Sequence, residues 1–530
     1  MRWFLILLLL AGCTKPKKEE KKTTLNLNIS RDIVTFDPRK GGDFVSSTLQ
    51  FLLFEGLTRM TPYSIVSPAL AETIDVSPDY TVYTFHLRDS KWSNGASITA
   101  FDFVQTWKDM LQPSFPCPNA HLLYPIKNGE NAKRGLVSDR QIGVRAIDHK
   151  TLEVRLEQPT PFFLEMVSFC VFFPIHQNTA LRNAKWSDAE NKDFVCNGPY
   201  RLVKYKRGHE ILLEKNPYYW DHENVSLDQI RISIIDNEMT AMKLYEMDEL
   251  DILGLPFTGI PSDYVPTLMD KGLLKTSSLP ASTICCFNME VFPFSNVNIR
   301  KAFSYAINRK EIIDNLAGMN NEIGTDLLPN ILLPDQPGPF FKDGDIELAK
   351  IYLQKGLKEL GLLENELGPL NLLDASTGDF PKIAIALQEQ WRKALGIQVT
   401  LIGNEYSVFL DRLTKRDYQM AECIWIAQYH DPMNFFERFK IKRNPKNYPN
   451  YENSRYSEIL DQSLLEANAE KRFDLLRQAE SIFIEDMPLT ALFHWKNIYL
   501  QKPHVKNLLL YPSGGFYLPG ILFDIPPEKI

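Results

Sequence analysis

Apolar residues recur along this chain at two spacings, which predict short strands and longer amphipathic helices. Residues 81–87 alternate, with Tyr83 and Phe85 on the same face, as in a half-buried strand. Residues 345–361 instead place apolar side chains at helical spacing. From residue 370 to 402 a strand, a helix, a glycine turn and a second strand follow one another. This alternation predicts βαβ units on a mixed sheet, and therefore an α/β fold.

A hairpin is predicted near the middle of the chain. Residues 197–199, Asn-Gly-Pro, favour a turn because glycine allows positive φ and proline presets its own φ. Residues 201–206 are typical of a strand, residues 207–208 turn the chain, and residues 210–214 return it. An aromatic cluster follows directly. Taken alone, this segment has the pattern of an ordinary surface hairpin.

One helix start and three aromatic side chains are predicted around residue 100. Thr99 can act as an N-cap, with Asp102 three residues further on. Trp92, Phe101 and Trp107 are expected to pack in the core.

Length and composition place the chain among soluble proteins with several domains. Its 530 residues are too many for one ordinary core, so two or three domains are expected. The apolar fraction of 44% and the charged fraction of 24% are those of a globular protein. The net charge is −7, and no stripe of Lys and Arg with interleaved aromatic residues is present in the sequence. Both observations argue against a nucleic-acid partner.

The N-terminus predicts export. Residues 1–10 carry one positive charge and then an apolar run that is too short to span a bilayer, as in a signal peptide. The sequence Leu-Ala-Gly-Cys that ends at Cys13 resembles the bacterial lipobox, whose cysteine is lipidated. Residues 14–24 are a charged tether without apolar residues. The expected location is outside the cytoplasm, in the periplasm or at the cell surface, with a lipid anchor on Cys13. A signal peptide with an incidental cysteine is the alternative.

Neither a metal site nor an enzyme motif is recognisable. The cysteines beyond Cys13 include no CxxC pair and no Cys/His cluster with zinc spacing, so no metal or other cofactor is predicted. The motifs HExxH, GxSxG, GxxxxGK[ST] and GxGxxG are absent. The chain is therefore not expected to be an enzyme. A hydrolase assembled from scattered residues is a remaining alternative.

Several segments in the same order resemble one family. They are the hairpin segment NGPY, the segment "VYTFHLRDSKWSNGASITAFDFVQTW", the segment "NIRKAFSYAINRKEII" and the segment "DMPLTALFHWKNIYL". Spread over residues 25–510, they are similar to the oligopeptide-binding family of ABC-transporter solute-binding proteins. The resemblance implies a two-lobed periplasmic-binding-protein fold of type II, in the large peptide-binding class, with a small extra domain inserted in the first lobe.

The resemblance also implies domain boundaries. A signal peptide and tether would occupy residues 1–24, domain Ia residues 25–70, 190–284 and 490–530, the inserted domain Ib residues 71–189, and domain II residues 285–489.

By the same resemblance, the protein is a monomer that captures an oligopeptide between its lobes and delivers it to an ABC permease. The lobes close on the ligand by a hinge motion, and main-chain groups of the protein pair with an extended peptide. No reaction is catalysed. Alternatives within the class are a murein peptide, a dipeptide or a metal chelate as the ligand. A lipid-anchored hydrolase or an adhesin is the alternative from another class.

The resemblance places the ligand site around residues 418–436. Trp425 matches an aromatic residue of the family's site. Gln428 stands where well-known peptide binders carry an aspartate that pairs with the α-ammonium group, and a neutral amide cannot supply that charge. Glu422, at the position of an arginine in the enteric binder, and Asp431 are therefore candidate acids for the amine. Otherwise the preferred ligand has no free α-amine. Asp431 can equally cap a turn.

Other positions follow from the same resemblance. Tyr406 matches an aromatic pocket wall, with core packing as the alternative. The loop of residues 40–44, including Gly42 and Phe44, matches a segment that lies along the peptide. His430 belongs to the same set, with an ordinary hydrogen-bonding role as the alternative.

One disulfide is implied in the same way. Cys285 aligns with a family cysteine that can form a disulfide near the hinge. The usual partner position is occupied by Ile426 here, which leaves Cys423 as a candidate partner.

Overall fold

The structure is a computed structural model that describes residues 23–41, 43–188, 194–254, 257–315, 321–335, 338–363, 366–511, 516–517 and 520–523. The strands in chain order are β1 (Thr24–Ile29), β2 (Thr58–Met60), β3 (Val66–Pro68), β4 (Ala71–Val76), β5 (Val82–Leu87), β6 (Val144–Ala146), β7 (Thr151–Arg155), β8 (Tyr200–Lys206), β9 (Glu210–Lys215), β10 (Gln229–Ile234), β11 (Ile252–Gly254), β12 (Lys275–Phe287), β13 (Glu322–Ile323), β14 (Leu370–Ala375), β15 (Val399–Asn404), β16 (Met420–Ile426), β17 (Leu489–Gln501), β18 (Val505–Lys506), β19 (Leu509–Leu510), β20 (Phe516–Tyr517) and β21 (Leu522–Phe523).

The helices in chain order are α1 (Phe44–Leu53), α2 (Ala100–Met110), α3 (Gly129–Lys133), α4 (Phe163–Met166), α5 (Gln177–Arg182), α6 (Glu238–Glu246), α7 (Val265–Asp270), α8 (Val297–Tyr305), α9 (Arg309–Asn315), α10 (Ile346–Leu360), α11 (Phe380–Leu395), α12 (Tyr406–Lys415), α13 (Met433–Lys440), α14 (Ser454–Leu465) and α15 (Ala469–Asp486). Among the described residues, none of these helices is both long enough and apolar enough to cross a membrane.

The predicted hairpin is confirmed and belongs to a four-stranded sheet in the order β1-β10-β9-β8. Its turn also holds the next segment in place. The Asn197 side chain accepts from the Glu55 N–H at 3.1 Å and donates to the Glu55 carbonyl at 3.0 Å. The Asn216 amide donates to the Gly198 carbonyl at 2.9 Å. These bonds fix the end of α1, which faces the cleft described below.

A second four-stranded sheet, β4-β5-β7-β6, lies within the predicted insertion. Its strand β5 buries Tyr83 and Phe85 as the alternation predicts. Thr99 and Asp102 form the predicted capping box at the start of α2. Trp92 and Trp107 are fully buried, but the expectation for Phe101 is wrong, since its side chain is 50% exposed. Phe101 lies on the outer side of α2, because Ala100 and Phe103 occupy the buried side.

The largest sheet is mixed and has the order β11-β17-β12-β16-β14-β15, with β13 added to β17. Strands β14 and β15 are parallel and are joined by α11, which confirms the predicted βαβ unit. Strands β12 and β17 have 13 residues each and pair with one another. The domain boundaries predicted near residues 285 and 490 fall inside these two strands, which therefore run between the predicted lobes.

A buried carboxyl group on α15 gives a pH-dependent prediction. Glu480 Oε1 accepts the N–H groups of Leu327 and Leu328 at 2.9 and 3.1 Å, and burial raises the pKa of Glu480 to about 8. The folded state therefore binds a proton that the unfolded state loses above its ordinary pKa. The contribution of Glu480 to the free energy of unfolding must therefore fall as the pH rises from about 5 to 8.

The variant Glu480→Gln should remove part of that loss. We expect it to be more stable than the wild type at pH 8 by about 1–3 kcal/mol and nearly equal to it at pH 5, as measured by urea unfolding. Glu458→Gln, at an exposed position on α14, is the matched control and should change neither value. If the free energy of unfolding changes with pH in the same way in Glu480→Gln and in the wild type, the raised pKa of Glu480 is contradicted.

Candidate functional site

Two cavities lie where residues of predicted domains Ia, Ib and II come together, and the space between these residues is here named the cleft. The larger one, here named the aromatic cavity, has a volume of about 560 Å³ and is lined by Pro118, Asn119, His121, Ile284, Cys286, Phe380, Tyr406, Phe409, Leu410, Leu413, Cys423, Ile424, Trp425, Ile426, Gln428, Phe435, Arg438, Phe439, Lys446, Tyr448 and Trp495. The smaller one, here named the inner cavity, has a volume of about 50 Å³ and is lined by Phe51, Phe54, Glu55, Thr58, Arg59, Met60, Ser168, Phe169, Phe173, Pro280, Ala427, Gln428, Tyr429, His430 and Tyr511. Gln428 lines both.

Strand β16 supplies one wall of the aromatic cavity. Residues on a strand alternate between its two faces, so Cys423 and Trp425 share a face. Trp425 is 4% exposed and its ring packs edge-on against Phe435 at 4.5 Å between centroids. Its indole N–H has no hydrogen-bond partner among the described residues. Trp425 therefore lines the aromatic cavity, and its role as a ligand contact stays a prediction.

Gln428 links the two sides of the cleft through its side-chain amide. Its Nε2 donates to Asn119 Oδ1 at 3.0 Å, and its Oε1 lies 3.4 Å from His121 Nε2. Burial, together with the nearby Arg438 cation, lowers the pKa of His121 to about 4. The imidazole is therefore neutral near pH 7. A neutral contact of this kind has no carboxylate with which to receive an ammonium group.

The carboxylate of Asp431 is not free, because it is paired with a side chain of the protein. Arg472 donates to its two oxygens at 2.7 and 2.8 Å, and the Met433 N–H donates to Oδ1 at 2.9 Å. The side chains of Asp431 and Arg472 are 7% and 9% exposed. Asp431 therefore holds the turn that precedes α13 and balances a buried arginine, and it lines neither cavity. The turn-capping alternative describes its geometry.

Glu422 also lies away from both cavities. Its side chain is fully buried in β16, and neither carboxylate oxygen has a hydrogen-bond partner among the described residues. Burial raises the pKa of Glu422 well above its usual range, and the carboxyl group of Asp374, on the adjacent strand β14, raises it further. Glu422 is therefore a buried acid that is not available to a ligand in either cavity.

The remaining predicted residues are divided among the two cavities and the start of α1. Tyr406 lines the aromatic cavity, is 49% exposed and stacks on Phe409 at 6.1 Å. His430 lines the inner cavity, and burial lowers its pKa. Phe44 is the first residue of α1, but its side chain lies outside what the structure describes, and so does Gly42.

The predicted cysteine pair requires a correction. All six cysteines in the described part of the chain carry free thiols, and Cys286, not Cys285, is the neighbour of Cys423, with 3.5 Å between their sulfur atoms. Adjacent residues of a strand point to opposite faces, so Cys285 and Cys286 cannot both face β16's Cys423. The alignment with the family did not resolve which of these two neighbouring cysteines has this orientation.

Direct contacts close the cleft around the cavities. The rings of Phe162 and Tyr429 are stacked with centroids 5.4 Å apart and an interplanar angle of 3°. Arg472 lies 5.5 Å from the centroid of the Phe162 ring. These contacts join predicted domain Ib to predicted domain II beside the inner cavity.

Sequence reasoning missed four polar residues of the aromatic cavity: Asn119, His121, Arg438 and Lys446. The pattern of α13 gave a signal for one of them, since Arg438 interrupts a run of phenylalanines on that helix. Asn119 and His121 carry no comparable signal, because they reach the cavity only when the insertion meets domain II. Within the described residues, no group of three or more His, Cys, Asp and Glu side chains is arranged to hold a metal ion.

Two lobes with a cavity of about 560 Å³ between them define a solute-binding protein with the two-lobed type II fold. The chain belongs to the bacterial extracellular solute-binding proteins, family 5, whose Middle region matches residues 66–447. This result confirms the family predicted from the sequence. It is a family of extracytoplasmic binding proteins, not one defined by an enzymatic reaction.

Individual relatives cover nearly the whole chain. The oligopeptide-binding protein OppA of Bacillus subtilis (strain 168) is 37% identical over 512 residues, which cover 96% of this chain and 94% of that protein. The "Probable deoxycholate-binding periplasmic protein YgiS" of Escherichia coli (strain K12) is 31% identical over 503 residues, covering 93% and 90%. The crystal structure of the periplasmic oligopeptide-binding protein OppAIV of Borrelia burgdorferi has a TM-score of 0.79 and 30% identity, covering 94% of this chain and 99% of that chain.

Proposed function

We propose that this protein captures oligopeptides in the interlobe cleft and delivers them to an ABC permease. The observation that carries the proposal is the pair of cavities that meet at Gln428, with walls from both lobes. Relatives at 37% and 32% identity are named oligopeptide-binding and dipeptide-binding proteins, which supports a peptide as the ligand. No reaction is part of this function.

The proposed ligand contacts are Tyr406 and Trp425 in the aromatic cavity, Gln428 between the cavities and His430 in the inner cavity. The loop with Gly42 and Phe44 is proposed to lie along the peptide, as in the family. Asp431 and Glu422 are proposed to act indirectly, since both are buried and line neither cavity. Asp431 holds the turn that carries Gln428 and His430.

The protein is proposed to act as a lipid-anchored monomer outside the cytoplasm. Lipidation of Cys13 would hold it at a membrane, and residues 14–24 would serve as the tether. Residues 25–70, 190–284 and 490–530 are proposed to form domain Ia, residues 71–189 domain Ib and residues 285–489 domain II. Closure of domain Ib onto domain II is then the signal that the permease reads.

Native mass spectrometry of residues 14–530 tests the main proposal. We expect a ladder of copurified peptide masses that disappears after unfolding and refolding without ligand, because a closed cleft retains peptides from the expression host. Added peptides should then rebind. A protein that carries no mass, and that binds none of a diverse peptide mixture after refolding, would contradict the proposal.

A second candidate is an anionic amphipathic solute. The aromatic cavity is mostly apolar, and one relative at 31% identity is named for deoxycholate, a carboxylate on an apolar steroid body. A single discrete copurified mass of this chemistry, in place of a peptide ladder, would favour this candidate.

A further inference from the structure

The aromatic cavity has an unbalanced set of charges. Its lining includes Arg438 and Lys446, and it includes no aspartate or glutamate from the described part of the chain. The charged side chains of a protein cavity usually occur with a partner of opposite sign, because desolvating a lone charge is costly. Lys446 is solvent-exposed, but Arg438 is half-buried without an acid in the cavity, which indicates that its partner belongs to the ligand.

Arg438 has few contacts inside the protein. Its Nε donates to the Asn434 carbonyl at 3.1 Å, and its guanidinium carbon lies 5.4 Å from the centroid of the Trp425 ring. Neither terminal nitrogen has a hydrogen-bond partner in the described ranges, and no carboxylate lies within ion-pair distance there. The guanidinium is half-buried, and burial lowers its pKa. Its planar fork is the geometry that binds a carboxylate through two hydrogen bonds.

Lys446 adds a second positive charge to the same cavity. It lines the wall near Arg438 while part of its side chain stays in solvent, and it too has no ion-pair partner among the residues described. Both cations contribute to the lowered pKa of His121 on the opposite wall, which places their field in the cavity. Glu437 is the nearest acid in sequence to Arg438 but does not line the cavity. Burial raises its pKa to about 7, so that it neutralises only part of one charge near pH 7.

We propose that the aromatic cavity is a subsite for a carboxylate group of the ligand, with Arg438 as its direct partner and Lys446 as a supporting charge. The aromatic and aliphatic walls would cover the stem that carries the carboxylate. The Gln428–Asn119–His121 contact carries no negative charge and leaves this positive field uncompensated. The carboxylate is either an acidic side chain of a peptide or its C-terminus. This subsite rests on the proposed function, since a peptide must enter the cleft to reach it.

Peptide pairs that differ only in charge test the subsite. Isothermal titration calorimetry with refolded, ligand-free protein would compare amidated pentapeptides that carry Glu or Gln at each of five positions in turn. We expect the Glu peptide to bind at least tenfold more tightly than its Gln partner at one position. A second arm compares the all-Gln peptide with a free C-terminal carboxylate and with an amidated C-terminus. If the free acid binds tenfold more tightly and no Glu position shows a preference, the carboxylate in the subsite is the C-terminus.

Variants connect the preference to the cavity. Arg438→Met should reduce the preference to less than threefold, and Lys446→Gln should reduce it in part. Lys393→Gln, at an exposed position on α11, is the charge-matched control and should leave the preference unchanged. Thermal unfolding checks that each variant is folded.

The outcomes separate the two proposals. Peptides that bind without any preference for a carboxylate, or a preference that Arg438→Met leaves intact, would overturn the subsite alone. Failure of every peptide to bind would overturn the proposed function and the subsite with it.

Discussion

Replacing Asp431 by alanine should lower the free energy of unfolding by about 3–5 kcal/mol, because it leaves Arg472 buried and charged without its partner. Arg472 now donates to both oxygens of Asp431 at 2.7 and 2.8 Å. The loss should also release the turn before α13, since the Met433 N–H loses its acceptor. Urea unfolding of the ligand-free protein measures the effect.

Two controls show whether the ion pair is the cause. Asp411→Ala removes an exposed pair with Lys415 and should cost no more than about 0.5 kcal/mol. The double variant Asp431→Ala/Arg472→Met should recover part of the stability, because it removes both buried charges together. If instead Asp431→Ala unfolds like the wild type but loses its affinity for peptides with a free amine, Asp431 is a ligand residue and the structural assignment is wrong.

Replacing Gln428 by aspartate should make peptide binding depend on a free α-amine. In the wild type we expect N-acetylation of a peptide to change the dissociation constant by less than threefold, because Gln428 offers no charge to the ammonium group. In Gln428→Asp a charge-assisted contact should favour the free amine by roughly tenfold or more. The measurement is calorimetry with matched acetylated and free peptides.

Gln428→Asn is the control, because an asparagine side chain has the same length as aspartate but no charge. It loses the same contacts with Asn119 and His121 as Gln428→Asp does, so it should show no preference for the free amine. The effect of aspartate should be larger in an Arg438→Met background, because Arg438 lines the same cavity and competes for the new carboxylate. If N-acetylation of the peptide already weakens its binding to the wild type tenfold, another acid of the protein receives the amine.

Local patterns determined much of the fold. The alternation in β5, the capping box at Thr99 and the hairpin of β8 and β9 depend on residues within a few positions of one another. The helix α10 is bounded as predicted, with Asp345 at its N-cap and Gly361 at its C-cap in the left-handed region. Such features are set by backbone geometry and by which face is apolar, both of which can be read from neighbouring residues.

The candidate site was predicted only where it depends on one strand. The position of Trp425 at the cleft follows from β16 and from the family resemblance. The roles of Asp431 and Gln428 do not follow in this way, because Arg472 is 41 positions from Asp431 and Asn119 is 309 positions from Gln428. Whether an acid is free or paired depends on which distant element packs against it.

The sequence by itself therefore determined the class of fold, most of the elements and the family of this protein, since these depend on periodicity and on ordered motifs. Only the tertiary structure decided which charges are already paired inside the protein. In the part of the chain that the structure describes, Asp431 is balanced by Arg472, Glu422 is buried without a hydrogen-bond partner, and Arg438 lines a cavity that contains no acid. The physical reason is that the state of a buried charge depends on its three-dimensional neighbours, which the residues next to it in sequence do not specify.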